Sequence, residues 1–215
     1  STQAFDWTAS YQLKGGELDL SMGRSLVVGL AGTTRLEEGE VLVSAEALSR
    51  TEADSILLGG QREEVKGETV VTAKAEHIRF DGDVSTGELI AVAQRGIDVA
   101  QGVSLTVDED KHADTDVQRV VRVQGDGATL AVSHNKGLDV QRDLASVAPG
   151  TPLAGQLSIA SSPAAPSALK AAHVVMDAAG ALSVNPDTAI QARAMSVAAG
   201  QIAIGDTTAD SALVL

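Results

Sequence analysis

Apolar and polar residues alternate in short runs along almost the whole chain. Representative runs are Glu40–Ser44 (EVLVS), Ser104–Val107 (SLTV) and Gln156–Ile159 (QLSI), each bounded by turn-forming residues. A period of two is typical of short β-strands with one buried face. Helical periodicity is weak, because the two best candidates, around 45–53 and 65–75, are short and lack capping signals. We therefore predict an all-β chain.

The strand-and-turn pattern repeats at a regular interval. Residues 180–205, GALSVNPDTAIQARAMSVAAGQIAIG, contain it twice, with Gly180 and Gly200 lying 20 residues apart. Gly96 and Gly137 also precede an apolar-x-apolar pair, and they extend the series with spacings of 41 and 43 residues. These spacings fit coils of about 20–21 residues, and such a period is typical of solenoids. The sequence predicts a right-handed parallel β-helix whose coils stack about 4.8 Å apart.

The predicted organisation is a β-helix over residues 16–215, preceded by a segment over 1–15 that caps the first coil. Loop excursions are predicted near 59–67, 108–119 and 143–155, where the repeat is interrupted. Insertions in solenoids leave the coil body on one side and often carry the binding residues. We therefore expect contacts with other molecules at these three segments.

Aromatic residues are scarce and unevenly placed. They make up 2% of the chain, and three of them, Phe5, Trp7 and Tyr11, fall in the first eleven residues. The interior must therefore be built mainly from Ala, Val, Leu and Ile, which suit a stacked β interior. We expect the aromatic trio to cover the open end of the first coil, since a solenoid needs protected ends.

Charge and cysteine content exclude several function classes. The net charge of −13 argues against nucleic-acid partners and against adsorption to anionic lipid, both of which need clustered Lys and Arg. The chain has no cysteine, which excludes disulfides, thiolate metal sites and a cysteine nucleophile. It shows no signal peptide, no initiator Met and no apolar run long enough for a membrane helix. From this we expect a mature chain or an excised piece of one.

Four segments carry a resemblance to a known family. The stretches 53–62 (ADSILLGGQR), 87–97 (GELIAVAQRGI), 125–133 (GDGATLAVS) and 176–182 (MDAAGAL) resemble segments of filamentous-haemagglutinin-type large exoproteins, in the same order. The resemblance covers about residues 16–207. It implies a right-handed β-helical shaft.

The family resemblance also implies a biological setting. Its members are bacterial proteins, secreted or exposed at the cell surface, exported by two-partner secretion through an outer-membrane transporter. They act in adhesion, biofilm formation or competition between cells; for an adhesive member, host-cell or surface glycans or proteins are the implied ligands. The family's N-terminal secretion motif of the Asn-Pro-Asn-Gly type is absent, and Asn185-Pro186-Asp187 is predicted to be a coil corner. We expect a non-enzymatic shaft segment with no cofactor; the oligomeric state is open, with a monomeric rod as the expectation.

The strongest candidate chemistry is an acidic stretch. Asp108, Asp110, Asp114 and Asp116 could supply the oxygen ligands that Ca²⁺ takes. Their spacing lacks the turn glycine of an EF-hand and the nonapeptide repeat of calcium-binding β-rolls, so a solvated charged loop is the simpler interpretation.

The alternative function is a carbohydrate-binding or carbohydrate-cleaving β-helix protein. Glycosidic cleavage needs converging carboxylates. Asp98 and Asp139 hold equivalent places after a glycine in the predicted coils, and could line up on one face. No aromatic platform for sugar rings lies near either residue. The four histidines are scattered, and no nucleophile motif supports a Ser-His-Asp triad. We therefore assign no catalytic residue.

Overall fold

The chain folds into strands joined by short turns. A computed structural model describes residues 16–109 and 112–205, and this part contains one short helix, far too short to cross a membrane. The elements are β1 (Glu17–Leu20), β2 (Ser25–Gly29), β3 (Glu40–Ser44), α1 (Ala45–Arg50), β4 (Ser55–Leu58), β5 (Gly60–Val65), β6 (Glu68–Ala73), β7 (His77–Phe80), β8 (Val84–Thr86), β9 (Glu88–Ala93), β10 (Gly96–Val99), β11 (Ser104–Val107), β12 (Arg119–Gln124), β13 (Ala128–Ser133), β14 (Leu138–Asp143), β15 (Gln156–Ile159), β16 (Ala168–Val184) and β17 (Ala189–Ile204). The all-β prediction is confirmed.

The larger sheet has 13 strands and curls around an apolar interior. The 17-residue strand β16 demonstrates the curl, because successive parts of it pair with different neighbours. Its residues 168–170 pair with β11, 173–178 with β13 and 181–184 with β15. One strand can meet three neighbours along one edge only if the sheet turns between them. The side chains that point inward from these three segments therefore pack into one core.

The larger sheet is mixed rather than wholly parallel. Most neighbours run parallel, but β13 is antiparallel both to β9 and to β16. The reversal arises because the chain leaves the sheet after β11, forms β12, returns through β13 and leaves again to form β14. This departs from the uniform parallel coil that the glycine spacing predicts. In particular Gly137 precedes β14, which lies in the other sheet, so it is not equivalent to Gly96.

A second sheet of four strands, in the order β14-β12-β6-β5, covers part of the outer face of the first. Strands β4, β9 and β13 are consequently buried along their whole length. Their outward apolar residues meet the second sheet in a separate cluster. The members of this cluster are Leu57, Val71, Ile90, Val92, Val121, Val123, Ala131, Leu138 and Val175. Burial on both faces accounts for the nearly continuous apolar run ELIAVA of β9.

Arginines of the second sheet reach carboxylates of the first. Two nitrogens of Arg142, Nη2 and Nε, each lie 3.0 Å from Asp177 Oδ2. The third, Nη1, donates to the Gly125 carbonyl oxygen at 2.9 Å. Arg62 pairs with Glu17 at 2.7 Å and with Asp19 at 3.0 Å. Charged groups at the margins of the apolar cluster are thereby paired, which is the condition for burying them.

The segment 59–67 and the cap of the helical candidate over 45–53 differ from what the sequence indicated. The segment 59–67 is not a loop: Gly60–Val65 is strand β5, and Lys66-Gly67 makes the turn of a hairpin with β6, both residues having positive φ. The helical candidate over 65–75 is not a helix, because Glu68–Ala73 forms strand β6. The other candidate is a true helix over Ala45–Arg50, because the Ser44 hydroxyl caps it by accepting a hydrogen bond from the Ala47 N–H at 3.2 Å. The proposed cap over residues 1–15, with Phe5, Trp7 and Tyr11, lies outside the described residues.

The duplicated stretch 180–205 pairs with itself across a 20-residue interval. Leu182 lies beside Ile202 and Val184 beside Ile204, in parallel register.

The other two predicted loops lie where the repeat is interrupted: no strand occurs over 144–155, and none over the described residues between Val107 and Arg119.

Candidate functional site

A polar cleft of about 510 Å³ lies on the outer face of the larger sheet over β2 and β7. Alternation along β7 places this cleft, because Ile78 and Phe80 are fully buried and their neighbours His77 and Arg79 must point outward. The lining side chains are Ser25, Glu37, Glu40, Glu76, His77, Arg79 and Arg95. The cleft thus combines carboxylates with cations and contains no large apolar side chain.

Arg79 organises one wall of the cleft. Its guanidinium lies 2.7 Å from Asp81 and 3.0 Å from Glu40, and it donates to the Arg35 carbonyl oxygen at 3.0 Å. These contacts tie β7 to β3 and to the segment before β3. The planar fork of arginine suits such a set of acceptors. Arg95 is also paired, with Glu76 at 3.2 Å, although both of these side chains are at least half exposed.

His77, Asp98 and Ser158 form a hydrogen-bonded row across three neighbouring strands, β7, β10 and β15. His77 Nε2 lies 2.5 Å from Asp98 Oδ2, and the Ser158 hydroxyl donates to the other oxygen of Asp98. The hydrogen bond to Asp98 raises the pKa of His77 against the opposing effect of burial, and the hydrogen bond from His77 lowers the pKa of Asp98.

This row is not a catalytic triad. In a triad the imidazole accepts the proton of the serine hydroxyl, whereas here both His77 and Ser158 are bonded to Asp98. The Ser158 hydroxyl therefore donates to a carboxylate and not to an imidazole. The arrangement can link strands and hold charge, and it lacks the serine–imidazole contact of a triad.

The pH dependence of this link is a testable consequence. Because the folded pKa of His77 is raised, its contribution to stability is complete below the unfolded value of about 6.5 and is lost as pH rises through the folded pKa. Because the pKa of Asp98 is lowered, its contribution is present above about 3.8 and is lost as pH falls through the folded pKa. We expect His77→Gln to destabilise the chain more at about pH 5 than at about pH 9, measured by urea unfolding of both proteins. A loss of equal size at both values would contradict the ionic link.

A second polar group is completely buried beneath the second sheet. The side chain of Glu88, at the first position of β9, has no exposed surface. The hydroxyls of Ser55 and Ser133 each donate to it at 2.6 Å, one to each carboxylate oxygen, and Arg119 of β12 pairs with it. The strand register explains the grouping, since Ser133 is directly paired with Glu88 and Ser55 lies at the matching position of β4. Sequence reasoning missed this group; the available signal was a single carboxylate at the head of an otherwise apolar strand.

Two histidines lie next to the Glu88 group. His134 Nδ1 is 2.9 Å from the Gly87 carbonyl oxygen, and its ring stacks with that of His112 at a centroid distance of 5.6 Å. Asn135 closes the following turn by accepting from the Gly137 N–H at 2.9 Å. These contacts fix the chain where it passes from the larger sheet to β14.

The acidic stretch does not assemble into a metal site in the described part of the chain. Asp114 is paired with Arg193 of β17, which directs one of the predicted oxygen ligands to a cation of the protein itself. Asp110 lies outside the described residues. No group of three or more acidic or histidine side chains suited to a metal ion, among Asp108, Asp114, Asp116 or elsewhere, is found over 16–109 and 112–205.

Asp98 and Asp139, the two carboxylates that the sequence allowed to line up, lie in different sheets. Asp98 belongs to β10 of the larger sheet, whereas Asp139 belongs to β14 and is paired with Val120 of the second sheet. The two carboxylates therefore do not form a row along one face, and they provide no pair for glycosidic cleavage.

Comparison with known proteins adds no relative to this picture. No family model, no curated protein and no solved structure matches the chain. Its function must therefore be argued from its own residues.

Proposed function

We propose that this chain is a non-enzymatic structural and adhesive segment of a bacterial exoprotein of the filamentous haemagglutinin type. In this proposal the parent protein is secreted or exposed at the cell surface, and leaves the cell by two-partner secretion through an outer-membrane transporter. The segment acts mechanically, as part of a shaft that presents loops to surface glycans or proteins. The proposal rests on the resemblance of its sequence together with the fold described above.

The observation that carries the proposal is the in-register pairing of the two repeats in 180–205. Leu182 pairs with Ile202 and Val184 pairs with Ile204, so residues one repeat apart lie side by side in parallel strands. A similar interval separates β7 from β10, where Ile78 pairs with Ile97. We accordingly propose the finer fold as well: a right-handed parallel β-helix of about 20-residue coils, interrupted by β13 and flanked by the second sheet. The right-handed sense follows the general rule for parallel crossovers.

The distribution of exposed apolar side chains supports a presenting role. Seven large apolar residues of the described part of the chain are at least 39% exposed, and four of them, Val65, Val117, Leu144 and Leu153, lie in the three segments that interrupt the sequence repeat. The other three are Leu30, Met195 and Ile204. Exposed apolar residues on connecting segments are typical of contact sites, so we place adhesive contacts at the three segments.

The cleft favours the alternative function, a carbohydrate-binding or carbohydrate-cleaving protein, because it gathers three glutamates in one polar depression. Two of them, Glu40 and Glu76, are paired with arginines. This pairing holds them as charged anchors, which suits binding better than proton donation to a leaving group.

The location of the parent protein tests the proposal. We expect an antibody raised against this chain to label intact cells or the culture medium, and the label to disappear when the outer-membrane transporter is deleted. An antibody against a cytosolic protein is the control for lysis. Signal confined to the cytosol would refute the exoprotein proposal, and saccharide cleavage by the purified chain, with Glu40→Gln as the comparison, would then be the experiment to perform.

A further inference from the structure

The polar cleft over β2 and β7 has an acidic wall, formed by Glu37 and Glu40. The Glu40 carboxylate accepts from Arg79 at 3.0 Å and from the Glu37 N–H at 2.7 Å, both through Oε2. Its Oε1 makes no hydrogen bond in the described part of the chain, and the Glu37 carboxylate has neither a hydrogen bond nor an ion pair there. This wall therefore keeps unused acceptor oxygens, and no cation of the described residues neutralises Glu37.

Backbone contacts hold the acidic wall in place. The Glu40 N–H donates to the Glu37 carbonyl oxygen at 3.2 Å, in addition to the 2.7 Å contact that runs the other way. Arg79 of β7 donates to the Arg35 carbonyl oxygen at 3.0 Å, so the segment before β3 is tied to β7. Acceptors that are already fixed lose little conformational freedom when a ligand binds.

A row of three polar positions crosses the cleft. Strand β2 lies between β3 and β7 in the larger sheet. Ser25 of β2 is paired with Glu40 of β3 and, one residue before the pairing of Leu26 with Ile78, lies beside His77 of β7. Because neighbouring strands lie about 4.8 Å apart, the row spans about 10 Å. It presents a carboxylate, then a hydroxyl, then an imidazole.

The imidazole at the far end of the row is held in one orientation. His77 Nε2 lies 2.5 Å from Asp98, and the ring packs over Gly96, where an added Cβ would lie 2.8 Å from Cε1 of the ring. The His77 side chain is 39% exposed, and its Nδ1 makes no hydrogen bond among the described residues. A ligand hydroxyl can donate to Nδ1 or accept from it, so it suits both protonation states of the ring.

The charge of the cleft favours a cationic ligand. Its lining contains three glutamates, two arginines and His77, and both arginines are already paired with carboxylates. The whole chain carries a net charge of −13, so its field attracts cations and repels anions. No group of side chains suited to a metal ion is found over 16–109 and 112–205. An organic ammonium group is therefore the cation that these separated acceptors fit.

We propose that this cleft binds an amino sugar, with the ammonium group at Glu37 and Glu40 and the hydroxyls towards Ser25 and His77. The volume of about 510 Å³ is within the range of about 300–1,000 Å³ that holds small ligands. The inference rests on the proposal that the chain contacts surface glycans, and it specifies glycans with free amino groups. Strands β10, β15 and β16 lie between β7 and β17, so a further layer on β17 would leave the cleft open.

Isothermal titration calorimetry of the full chain tests the charge requirement. The probes are the disaccharide of glucosamine and its N-acetylated counterpart, which lacks the ammonium charge. We expect the free amine to bind at least about tenfold more tightly, as for a hydrogen bond between charged groups, and added salt to weaken it. The titration uses the purified chain, so its outcome is independent of the antibody experiment on export.

The variants Glu37→Gln and Glu38→Gln test the position. Each removes one negative charge from an exposed residue, but only Glu37 lines the cleft. Glu37→Gln should weaken binding of the glucosamine disaccharide about tenfold, and Glu38→Gln should leave it unchanged. Ser25→Ala should weaken it by a smaller factor, because one neutral hydrogen bond is lost. Circular dichroism should establish that each variant is folded.

Four results would each overturn the proposal. They are no binding of the glucosamine disaccharide, equal binding of the acetylated form, equal losses for Glu37→Gln and Glu38→Gln, and equally tight binding of spermidine. Spermidine carries ammonium groups without hydroxyls, so its equal binding would mean that the cleft responds to charge alone.

Discussion

Glu88→Ala is expected to lower the free energy of unfolding by about 3–5 kcal/mol, the usual cost of breaking a buried ion pair. The carboxylate has no exposed surface and accepts from Ser55 and Ser133 while pairing with Arg119. Its removal leaves two hydroxyls and a guanidinium beneath the second sheet without their acceptor. Urea unfolding, with the midpoint and slope determined for both proteins, measures the loss.

The matched control is Glu76→Ala. Glu76 also pairs with an arginine, Arg95, but both side chains are half or more exposed. An exposed pair contributes about 0–1 kcal/mol, so the control should unfold nearly as the unaltered chain does. Glu88→Gln should fall between the two variants, because the amide oxygen can still accept one hydroxyl. Similar losses for Glu88→Ala and Glu76→Ala would show that the buried group adds nothing to the attachment of the second sheet.

Local alternation predicted the strands well because each run depends only on its own residues. Glu40–Ser44, Ser104–Val107 and Gln156–Ile159 were all identified from their period of two, and all are strands with those bounds. The same signal carries no information about which neighbour a strand takes. Leu138–Asp143 alternates like the coil strands, yet it lies in the second sheet. Membership of a sheet is decided by long-range packing, which one sequence does not record.

The candidate sites show the same limit. Asp98 was correctly expected to point outward, but its partner His77 is brought to it by the pairing of β7 with β10, 21 residues earlier. Ser158 comes from 60 residues later, beyond both the β12–β14 insertion and the segment 144–155. Insertions of irregular length break any count based on a fixed repeat. The Glu88 group escaped notice for a related reason: its burial requires the second sheet, which the sequence pattern did not reveal.

Gly155→Ala is expected to lower the free energy of unfolding by about 3 kcal/mol, near the upper end of the cost of overpacking. A Cβ at this position would overlap the carbonyl oxygen of Gly127, and backbone cannot move aside as a side chain can. The next layer is held to Gly155 itself, because its carbonyl oxygen accepts from the N–H groups of Gly180 and Ala181 at 2.8 and 3.0 Å.

The strain at Gly155 should therefore spread along the stack. A Cβ on Gly180 would lie 2.8 Å from the Gly155 oxygen, and one on Gly200 would lie 2.9 Å from the Gly180 oxygen. The backbones of these three stacked glycines are therefore too close together to admit a Cβ without movement. Gly23→Ala is the control, since a Cβ there meets nothing within 4 Å and the φ of Gly23 is not positive. That change should be neutral or stabilising by about 0.4–1 kcal/mol, through its effect on the unfolded chain. Urea unfolding of the two variants separates loss of close backbone packing from the general effect of adding a methyl group. Equal urea midpoints for Gly155→Ala and Gly23→Ala would mean that the layers can separate at Gly155 without loss of stability. Close packing of the glycines would then not be what holds β15, β16 and β17 together.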